Sequence, residues 1–434
     1  MPFANTEPLR RELADTLPER GFTVRFWDGT ELPATTGIGH DVRNGEDRAT
    51  GNGDRSKRSE GNGAGAPHAG PTFIVRSPKA VAHVVRAPGE LGLGRAYVAG
   101  DLEVDDLDKV IELIDDFQEP QIDRATRARL ALAALRACGL TVPPRAPKGE
   151  LRLKGSSHSR ERDSRAVRHH YDVSNEFFEL FLDRSMTYSC AIFSRGATTL
   201  EEAQVAKLDL VCKKLRLKQG ERILDVGCGW GAFVIHAARE YGVKAVGITL
   251  SPPQAQLARR RIADAGLSDR VEVRVADYRD VHGERYDAIA SIGMVEHVGE
   301  SQIDVYAQKL ASMLTPDGRL LNHGIAHLHH DLGYHGDFTQ RYVFPDGDPL
   351  HLSRVQLALE RAGFVTEHVE EFGKDYEDTL SEWIRRLDEN LERAEQLAGR
   401  ERLRVWRLYL RSARSIFKTE FVSIYQTLAR LRRT

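Results

Sequence analysis

From residue 200 onwards, the sequence alternates between short apolar runs that are typical of buried strands and longer amphipathic runs that are typical of helices. The predicted elements are strands 222–226, 244–249, 271–275, 286–292 and 318–324 and helices 201–215, 231–241, 252–265 and 302–314. This order predicts an α/β fold with a Rossmann-like parallel sheet that is doubly wound by helices. In such folds the loops after the strands carry the chemistry, so functional residues are expected there.

The loop after the first of these strands is rich in glycine. Gly227, Gly229 and Gly231 follow the run ILDV, and the missing Cβ atoms let the backbone pass close to a ligand. The spacing is GxGxG rather than the dinucleotide GxGxxG, and no P-loop lysine follows. With Asp225 on the strand and two further β/α units behind it, the loop resembles the S-adenosylmethionine site of class I methyltransferases. A structural tight turn is the alternative.

Further cofactor contacts are predicted after the next two strands. The second strand ends in VGITLSPPQ, residues 246–254, without the acid that holds the ribose hydroxyls in many such enzymes. After the third strand, Asp277 and Tyr278 are placed to meet the adenine, and capping of a turn is the alternative for Asp277. The predicted cofactor residues are Tyr188, Ser189, Asp225, Gly227, Gly229, Gly231, Thr249, Leu250, Gln254, Asp277 and Tyr278.

Longer motifs give a more specific resemblance. The segment HHYDVSNEFFELFLDRSMTYSCAIF (169–193), with VGCGWG, GITLSPPQ, MVEHVG and RYVFPDG (341–347), resembles cyclopropane fatty acid synthases and their mycolic-acid and 10-methyl-fatty-acid relatives. The likeness covers about residues 165–430, and LGLGRAYVAGDLEV resembles the family's smaller N-terminal domain. The resemblance implies a cis-unsaturated acyl chain as substrate, usually in an intact phospholipid.

The chemistry implied by this resemblance requires a dry site and a base. An alkene is a weak nucleophile, and its attack on a sulfonium methyl leaves a carbocation that water would intercept. The apolar and aromatic side chains of FFELFLDRSMTYSCAIF suit the wall of an acyl site, with ordinary core packing as the alternative, and Tyr188, Phe193 and Tyr342 are candidates to lie near the cation. Ring closure also needs a proton to leave, and the resemblance implies a bound bicarbonate as the base. The residues implied to hold it are Cys190, Glu296, His323, Tyr376 and the backbone at Ile325.

Each of these assignments has a structural alternative. Glu296 is interpreted as orienting the base, and the alternative is that it is a solvated residue at the start of a helix. For His323 and Cys190 the alternative is ordinary packing in the core. Tyr376 is identified only by the tyrosine and the helix that follows it. His297 is interpreted as a neighbour of a helix cap, and the histidines of HGIAHLHHDLGYHGDF match no known metal-site spacing, so no metal is predicted.

The predicted function is transfer of a methylene carbon from S-adenosylmethionine to the cis double bond of a phospholipid acyl chain, which gives a cyclopropane. The first rival forms a 10-methylene chain from the same cation, which a partner reductase would saturate. A small-molecule N- or O-methyltransferase and a non-catalytic lipid-binding protein are further rivals.

The composition of successive segments indicates the domain boundaries. Residues 1–142 are predicted as a small α+β domain with a disordered insert at 40–70, which holds seven glycines; 143–168 as a basic linker; and 169–434 as the methyltransferase domain. The net charge is only −2, but residues 145–170 hold eight Lys/Arg against three Asp/Glu, and residues 400–434 hold ten against two. Solvated helix faces or a site for anionic phospholipid explain these runs.

The chain shows no signal peptide and no long apolar segment, and its four cysteines form no CxxC pair. We therefore expect a cytoplasmic enzyme that is peripheral on the inner face of the membrane. A homodimer is expected by resemblance, and no nucleic-acid partner is predicted.

Overall fold

A computed structural model describes residues 5–37, 70–116, 122–138, 144–151, 158–171, 173–329 and 337–433. The chain divides into two compact units, Met1–Pro147 and Lys148–Thr434. The boundary lies inside the predicted linker, 143–168. Of the predicted disordered insert, residues 40–69 lie outside the described residues. Within the described part of the chain, no helix combines the length and the apolar character needed to cross a membrane.

The first unit is an α+β domain, as the sequence predicts. Its elements are α1 (Glu7–Thr16), β1 (Thr23–Arg25), β2 (Glu31–Leu32), β3 (Thr72–Val75), α2 (Pro78–Arg86), α3 (Glu90–Ala99), β4 (Leu102–Val104), α4 (Leu107–Asp116) and α5 (Arg124–Cys138). The strands form one sheet in the order β2-β1-β3-β4. Ser77 caps α2 by accepting a hydrogen bond from the Lys79 amide, and Pro78 begins the helix because its fixed φ suits that position. Helices α1, α2 and α5 pack buried Leu9, Ala80 and Ala137 into the core.

The second unit is built on a mostly parallel sheet. Its strands are β5 (Arg222–Val226), β6 (Lys244–Thr249), β7 (Val271–Val275), β8 (Tyr286–Ile292), β9 (Leu314–His327), β10 (Leu350–His351), β11 (Phe364–Glu371) and β12 (Val422–Leu431). The order is β11-β12-β9-β8-β5-β6-β7, with β10 paired to β9. The order reverses between β5 and β8, and this switch point is where ligands of open α/β sheets bind.

Helices cover both faces of this sheet. They are α6 (Arg160–Tyr171), α7 (Asn175–Glu179), α8 (Leu200–Lys214), α9 (Ala232–Tyr241), α10 (Pro252–Asp264), α11 (Ile303–Ser312), α12 (Asp337–Tyr342), α13 (Leu352–Arg361), α14 (Gly373–Glu389), α15 (Leu391–Ala398) and α16 (Arg400–Lys418). Capping residues in the sequence determine where several of these helices begin. Thr199 and Glu202 form a capping box at α8, and Ser251 caps α10 ahead of Pro252.

Strands 222–226, 244–249, 271–275 and 286–292 are confirmed to the residue. The prediction of 318–324 was too short, because β9 begins at Leu314 and ends at His327. The sheet is mostly parallel, as predicted, but two strands at one edge are antiparallel. Strand β12 pairs antiparallel with β9, and β11 pairs antiparallel with β12. This last strand reaches the sheet from the far end of the chain, a pairing that local patterns do not contain.

The second half of the predicted linker belongs to the second unit. Residues Arg160–Tyr171 form α6 there. Arg162 pairs with Asp346, and Asp163 accepts a hydrogen bond from Arg279 at 2.9 Å. These half-buried pairs hold α6 against the second unit, so its charges are part of that unit.

Candidate active site

Three of the cavities formed by the described residues meet at the carboxyl ends of β5, β6, β8 and β9. The glycine-loop cavity holds about 540 Å³, the Asp277 cavity about 530 Å³ and the apolar cavity about 960 Å³, each partly open to solvent. Gly227 lines the first two, while Tyr188, Ser189 and Gly293 line the first and third. The cavities therefore adjoin one another, and these residues mark the junctions between them.

The glycine-loop cavity has the features of a site for a close-fitting ligand. Gly229 lines it with φ at +51°, and a Cβ there would meet no heavy atom within 4 Å, so it would project into open space. Asp225 is buried at the end of β5, and its Oδ1 has no hydrogen-bond partner among the described residues. Burial raises the pKa of Asp225 to about 7, and the charge of Lys207 opposes that rise. The cavity thus offers an unused acceptor beside a backbone that leaves room for a ligand.

The Asp277 cavity lies beside the second and third strands. Thr249, Leu250 and Tyr278 line it, as predicted for a nucleoside. Asp277 also lines it, but Asp277 accepts from the Arg279 amide at 2.9 Å and from the Arg279 guanidinium at 2.6 Å. The alternative interpretation of Asp277 as the cap of a turn is confirmed, and the carboxylate is fixed by the arginine at the cavity wall.

The apolar cavity is walled by aromatic and aliphatic side chains from several elements. Among the residues that line it are Tyr188, Phe344, Tyr376, Leu380, Tyr409, Ala413, Ile416, Phe417, Val422 and Ile424. Trp383 backs this wall, with its ring stacked on Tyr188 at 5.0 Å between centroids. A wall of this kind excludes water and fits a hydrocarbon chain better than a polar ligand.

Glu296 reaches this apolar cavity from a single 3₁₀ turn, Val295–His297, directly after β8. Its Oε1 accepts the amide of Ile325 at 2.7 Å. Its Oε2 is buried and has no hydrogen-bond partner among the described residues. Burial raises the pKa of Glu296 to about 7, although the Ile325 amide acts in the opposite direction. One oxygen is therefore fixed and the other is available as an acceptor.

His323 lies two residues before Ile325 on β9, and so on the same face of that strand. Its side chain is fully buried, and burial, aided by the charges of Lys207 and Lys214, holds its pKa well below the usual value. Nδ1 lies 3.4 Å from the side-chain amide of Gln426. The ring Nε2 has no partner within the described part of the chain. His323 is not among the residues that line the three cavities.

Cys190 and Tyr376 meet at one backbone carbonyl. The Cys190 thiol lies 3.7 Å from the Phe372 carbonyl oxygen, and the Tyr376 amide donates to the same oxygen at 3.1 Å. Burial raises the pKa of the Cys190 thiol well above its usual value, so it stays protonated. The Tyr376 ring lines the apolar cavity and packs against Phe417 at 4.6 Å between centroids. Cys190 supports the turn below Tyr376 from the core.

The structure brings most of the predicted residues onto the three cavities, and it places others just behind them. Gly231 begins α9, and a Cβ there would lie 3.2 Å from Ala258, so this glycine packs against a helix. The Ile325 amide was expected near the bicarbonate, but it is occupied by Glu296. Phe193 and Tyr342, named as candidates near a cation, are not among the residues that line the apolar cavity.

Several residues of the site were not predicted, and two of them carry titratable side chains that line the cavities. His297, interpreted as a cap neighbour, lines both the Asp277 and the apolar cavities, and burial lowers its pKa to about 4. Lys207 is buried on α8 and lines the glycine-loop cavity. A signal for Lys207 was present in the sequence, because it falls on the same helical stripe as Leu200, Ala203 and Val211. A lysine on an apolar stripe needs a buried partner.

The fold, with its glycine loop at the switch point of the sheet, defines a class I S-adenosylmethionine-dependent methyltransferase. Residues 158–427 match the family model described as mycolic acid cyclopropane synthetase, and the chain belongs to this family, which transfers methyl groups from S-adenosylmethionine to fatty acyl chains.

Similar proteins support this assignment. A probable fatty acid methyltransferase of Mycobacterium tuberculosis is 39% identical over 85% of this chain and 89% of its own length. The cyclopropane-fatty-acyl-phospholipid synthase of Escherichia coli is 33% identical over 82% of this chain and 86% of its own. The structure of the mycolic acid cyclopropane synthase CmaA1, complexed with SAH and CTAB, superposes with a TM-score of 0.59 at 34% identity, covering 62% of this chain and 98% of that one.

Proposed function

We propose that this protein transfers a methylene carbon from S-adenosylmethionine to the cis double bond of an unsaturated phospholipid acyl chain and forms a cyclopropane ring. The observation that carries the proposal is the unused carboxylate oxygen of Glu296 at the wall of a mostly apolar cavity. Methyl transfer to a nucleophilic nitrogen or oxygen would not need a hydrocarbon-lined site, whereas proton loss after attack by an alkene needs a proton acceptor inside one.

The glycine-loop and Asp277 cavities fit S-adenosylmethionine. The open space at Gly229 and the unused oxygen of Asp225 suit its amino-acid end, while Thr249, Leu250 and Tyr278 would hold the nucleoside. When bound, the cofactor supplies an electrophilic sulfonium methyl. Tyr188 and Ser189 line both the glycine-loop cavity and the apolar cavity, so they border the position at which the two ligands would meet.

The base site fits bicarbonate by its donors and acceptors. This anion has an O–H to donate and oxygens that accept, and it would supply the base that removes a proton from the transferred carbon. Glu296 Oε2 would accept such an O–H, and the phenol of Tyr376, which lines the same cavity, would donate to its oxygens. The buried ring of His323 would supply a further N–H, although His323 does not line that cavity. Glu296 and Ile325 act together here, because the amide of Ile325 fixes the carboxylate that would hold the ion.

The formation of a methylene-branched chain from the same cation is the second candidate. The similarity to a probable fatty acid methyltransferase favours it, since that name describes methyl transfer to a fatty acid and mentions no ring. A product of this kind would pass to a partner reductase for saturation. Both candidates share the cofactor site and the dry cavity, and they differ in the carbon that loses the proton.

The purified enzyme tests the proposal with phospholipid vesicles and S-adenosylmethionine. We expect vesicles with a cis-unsaturated acyl chain to gain the mass of one CH2 group per product chain, and vesicles of the saturated phospholipid to gain nothing. If the enzyme alkylates the head group of both phospholipids instead, an alkene is not the substrate and the proposal is wrong.

The ionisation of Glu296 predicts a pH dependence. Burial raises its pKa to about 7, so below that pH the carboxyl is protonated and cannot accept from the base. At a fixed bicarbonate concentration, kcat should therefore rise with pH and reach half its maximum near about pH 7. Glu296→Gln should lose this rising limb from its residual activity. A wild-type profile that is flat from about pH 6 to about pH 8 contradicts the role.

Association with a membrane surface is also proposed, but at a different part of the chain from the basic runs that the sequence indicates. In the basic run 400–434, Arg407 and Arg411 both pair with Asp388, and Arg404 is buried, so this run has internal uses. Helix α5 is a better candidate. Leu132 and Leu135 are 47% and 57% exposed there. The exposed arginines of this helix, which flank the two leucines, are Arg124, Arg127, Arg129 and Arg136. An exposed apolar face with cationic edges fits an anionic bilayer.

We expect stronger sedimentation with anionic than with neutral vesicles, weakened by salt. Replacing Arg124, Arg127 and Arg136 with Gln should lower the affinity by roughly a hundredfold, since each cation near an anionic surface contributes about 1 kcal/mol. The matched control replaces Arg400, Arg432 and Arg433, three exposed arginines of the run 400–434, and should leave the affinity unchanged. Equal binding to both vesicle types contradicts membrane association, and an unchanged affinity of the α5 variant contradicts this face.

A further inference from the structure

Lys207 is a core lysine that the base site does not use. It lies on α8, is 1% exposed and lines the glycine-loop cavity. Its ammonium donates to Ser189 Oγ at 3.0 Å. Burial lowers the pKa of Lys207 to about 8, which shows how poorly the surrounding protein solvates the charge. An ammonium carries three N–H donors, so a buried lysine beside a ligand cavity is suited to an anionic ligand.

Lys207 also determines what Ser189 can do. An ammonium only donates, so the Ser189 oxygen accepts this hydrogen bond and its own O–H is left to donate in another direction. The backbone of this segment is fixed by Gln204, one helical turn before Lys207, whose amide donates to the Ser189 carbonyl at 2.9 Å. Helix α8 thus holds Ser189 at the junction of the glycine-loop and apolar cavities with a donor to offer.

A negative group faces the same cavity. Asp225 is buried at the end of β5, and its Oδ1 has no hydrogen-bond partner among the described residues. The lining therefore contains one buried cation and one buried anion beside glycine backbone. A zwitterion, with a carboxylate and an ammonium on one carbon, complements that pair. The amino-acid end of S-adenosylmethionine has this chemistry.

We propose that Lys207 is the positioning residue for the cofactor's carboxylate. Its charge attracts the carboxylate, and the Ser189 hydroxyl that it orients donates a hydrogen bond to it. Asp225 accepts a hydrogen bond from the cofactor's ammonium. The inference rests on the proposed use of S-adenosylmethionine. In this inference a lysine outside the glycine loop recognises the amino-acid end of the cofactor. The same inference explains why two opposite charges are buried beside one cavity.

Calorimetric titration with three probes tests this assignment. S-adenosylhomocysteine carries both charges, its decarboxylated analogue keeps only the ammonium, and 5′-methylthioadenosine carries neither. Lys207→Met should weaken S-adenosylhomocysteine binding by roughly tenfold to a hundredfold, the usual size of a lost charge-assisted hydrogen bond. Binding of the decarboxylated analogue and of methylthioadenosine should stay unchanged. Lys213→Met, an exposed lysine on the same helix, is the matched control and should alter no affinity.

The probes separate the possible failures. Equal weakening of all three probes by Lys207→Met would show a merely structural lysine and overturn the assignment. If that variant does not fold, the wild type decides: it should prefer S-adenosylhomocysteine over the decarboxylated analogue by at least about tenfold, and Ser189→Ala should reduce that preference. No preference in the wild type overturns the inference. A wild type that binds none of the probes would refute the proposed cofactor use itself.

Discussion

Glu296→Gln should retain cofactor and lipid binding and lose a factor of about 10²–10⁴ in turnover, the usual contribution of a positioned proton-transfer group. The amide is nearly isosteric, and its oxygen can still accept from the Ile325 amide at the place of Oε1. At the place of Oε2, however, it presents an N–H where the site needs an acceptor. Bicarbonate would then lose the partner for its O–H, so the base would be poorly oriented even when bound.

The measurement is steady-state turnover with and without bicarbonate, together with the melting temperature of each variant. Wild-type activity should fall when bicarbonate is stripped from the buffer and return when it is restored, whereas the variant should stay slow in both. Glu300→Gln is the matched control, because Glu300 lies one turn further on and is 60% exposed in a surface pair with Arg354. A Glu296→Gln enzyme that works at the wild-type rate without bicarbonate contradicts the role of this residue.

Gly229→Val should abolish measurable binding of S-adenosylmethionine. The isopropyl group would project into the glycine-loop cavity, since the space beyond a Cβ at this position contains no protein atom within 4 Å. Part of any effect is backbone strain, because φ is +51° here and a β-branched residue is strained in that region. Calorimetric titration measures the affinity, and circular dichroism checks the fold.

Gly266→Val separates strain from lost ligand space. Gly266 has φ at +67°, also has no heavy atom within 4 Å of a built Cβ, and is not among the residues that line the three cavities. It should lose a similar amount of stability and bind the cofactor normally. Unchanged affinity in Gly229→Val would show that the cofactor does not occupy this loop.

The sequence predicts those parts of the site that lie in short contiguous motifs. The run from Ile223 to Gly231 contains a strand, a turn and a helix start, so the local pattern determines the glycine loop. Glu296 was found in the same way, because it directly follows a strand whose bounds were predicted correctly. Residues at strand ends are constrained by the sheet, and the sheet is visible as periodicity.

What the sequence could not predict depends on contacts between distant segments. The Ile325 amide was expected to face the ion, but a side chain 29 residues earlier occupies it. The apolar wall includes Tyr409 and Phe417 from α16, which the sequence marks only as an arginine-rich helix. Several of those arginines pair with Asp388 or are buried. A count of charges along the sequence cannot predict which arginines are exposed.

The most direct test of the central claim is the lipid product of the whole enzyme. The protein is expressed in a bacterial host that lacks such an enzyme, and its phospholipid acyl chains are analysed by mass spectrometry and NMR, with Glu296→Gln as the control. We predict that unsaturated chains gain one CH2 group and show cyclopropane ring resonances, and that the control gains little. Chains with an exomethylene group would place the enzyme with the branch-forming candidate instead. Unaltered acyl chains, with the protein folded and S-adenosylmethionine bound, would contradict the account.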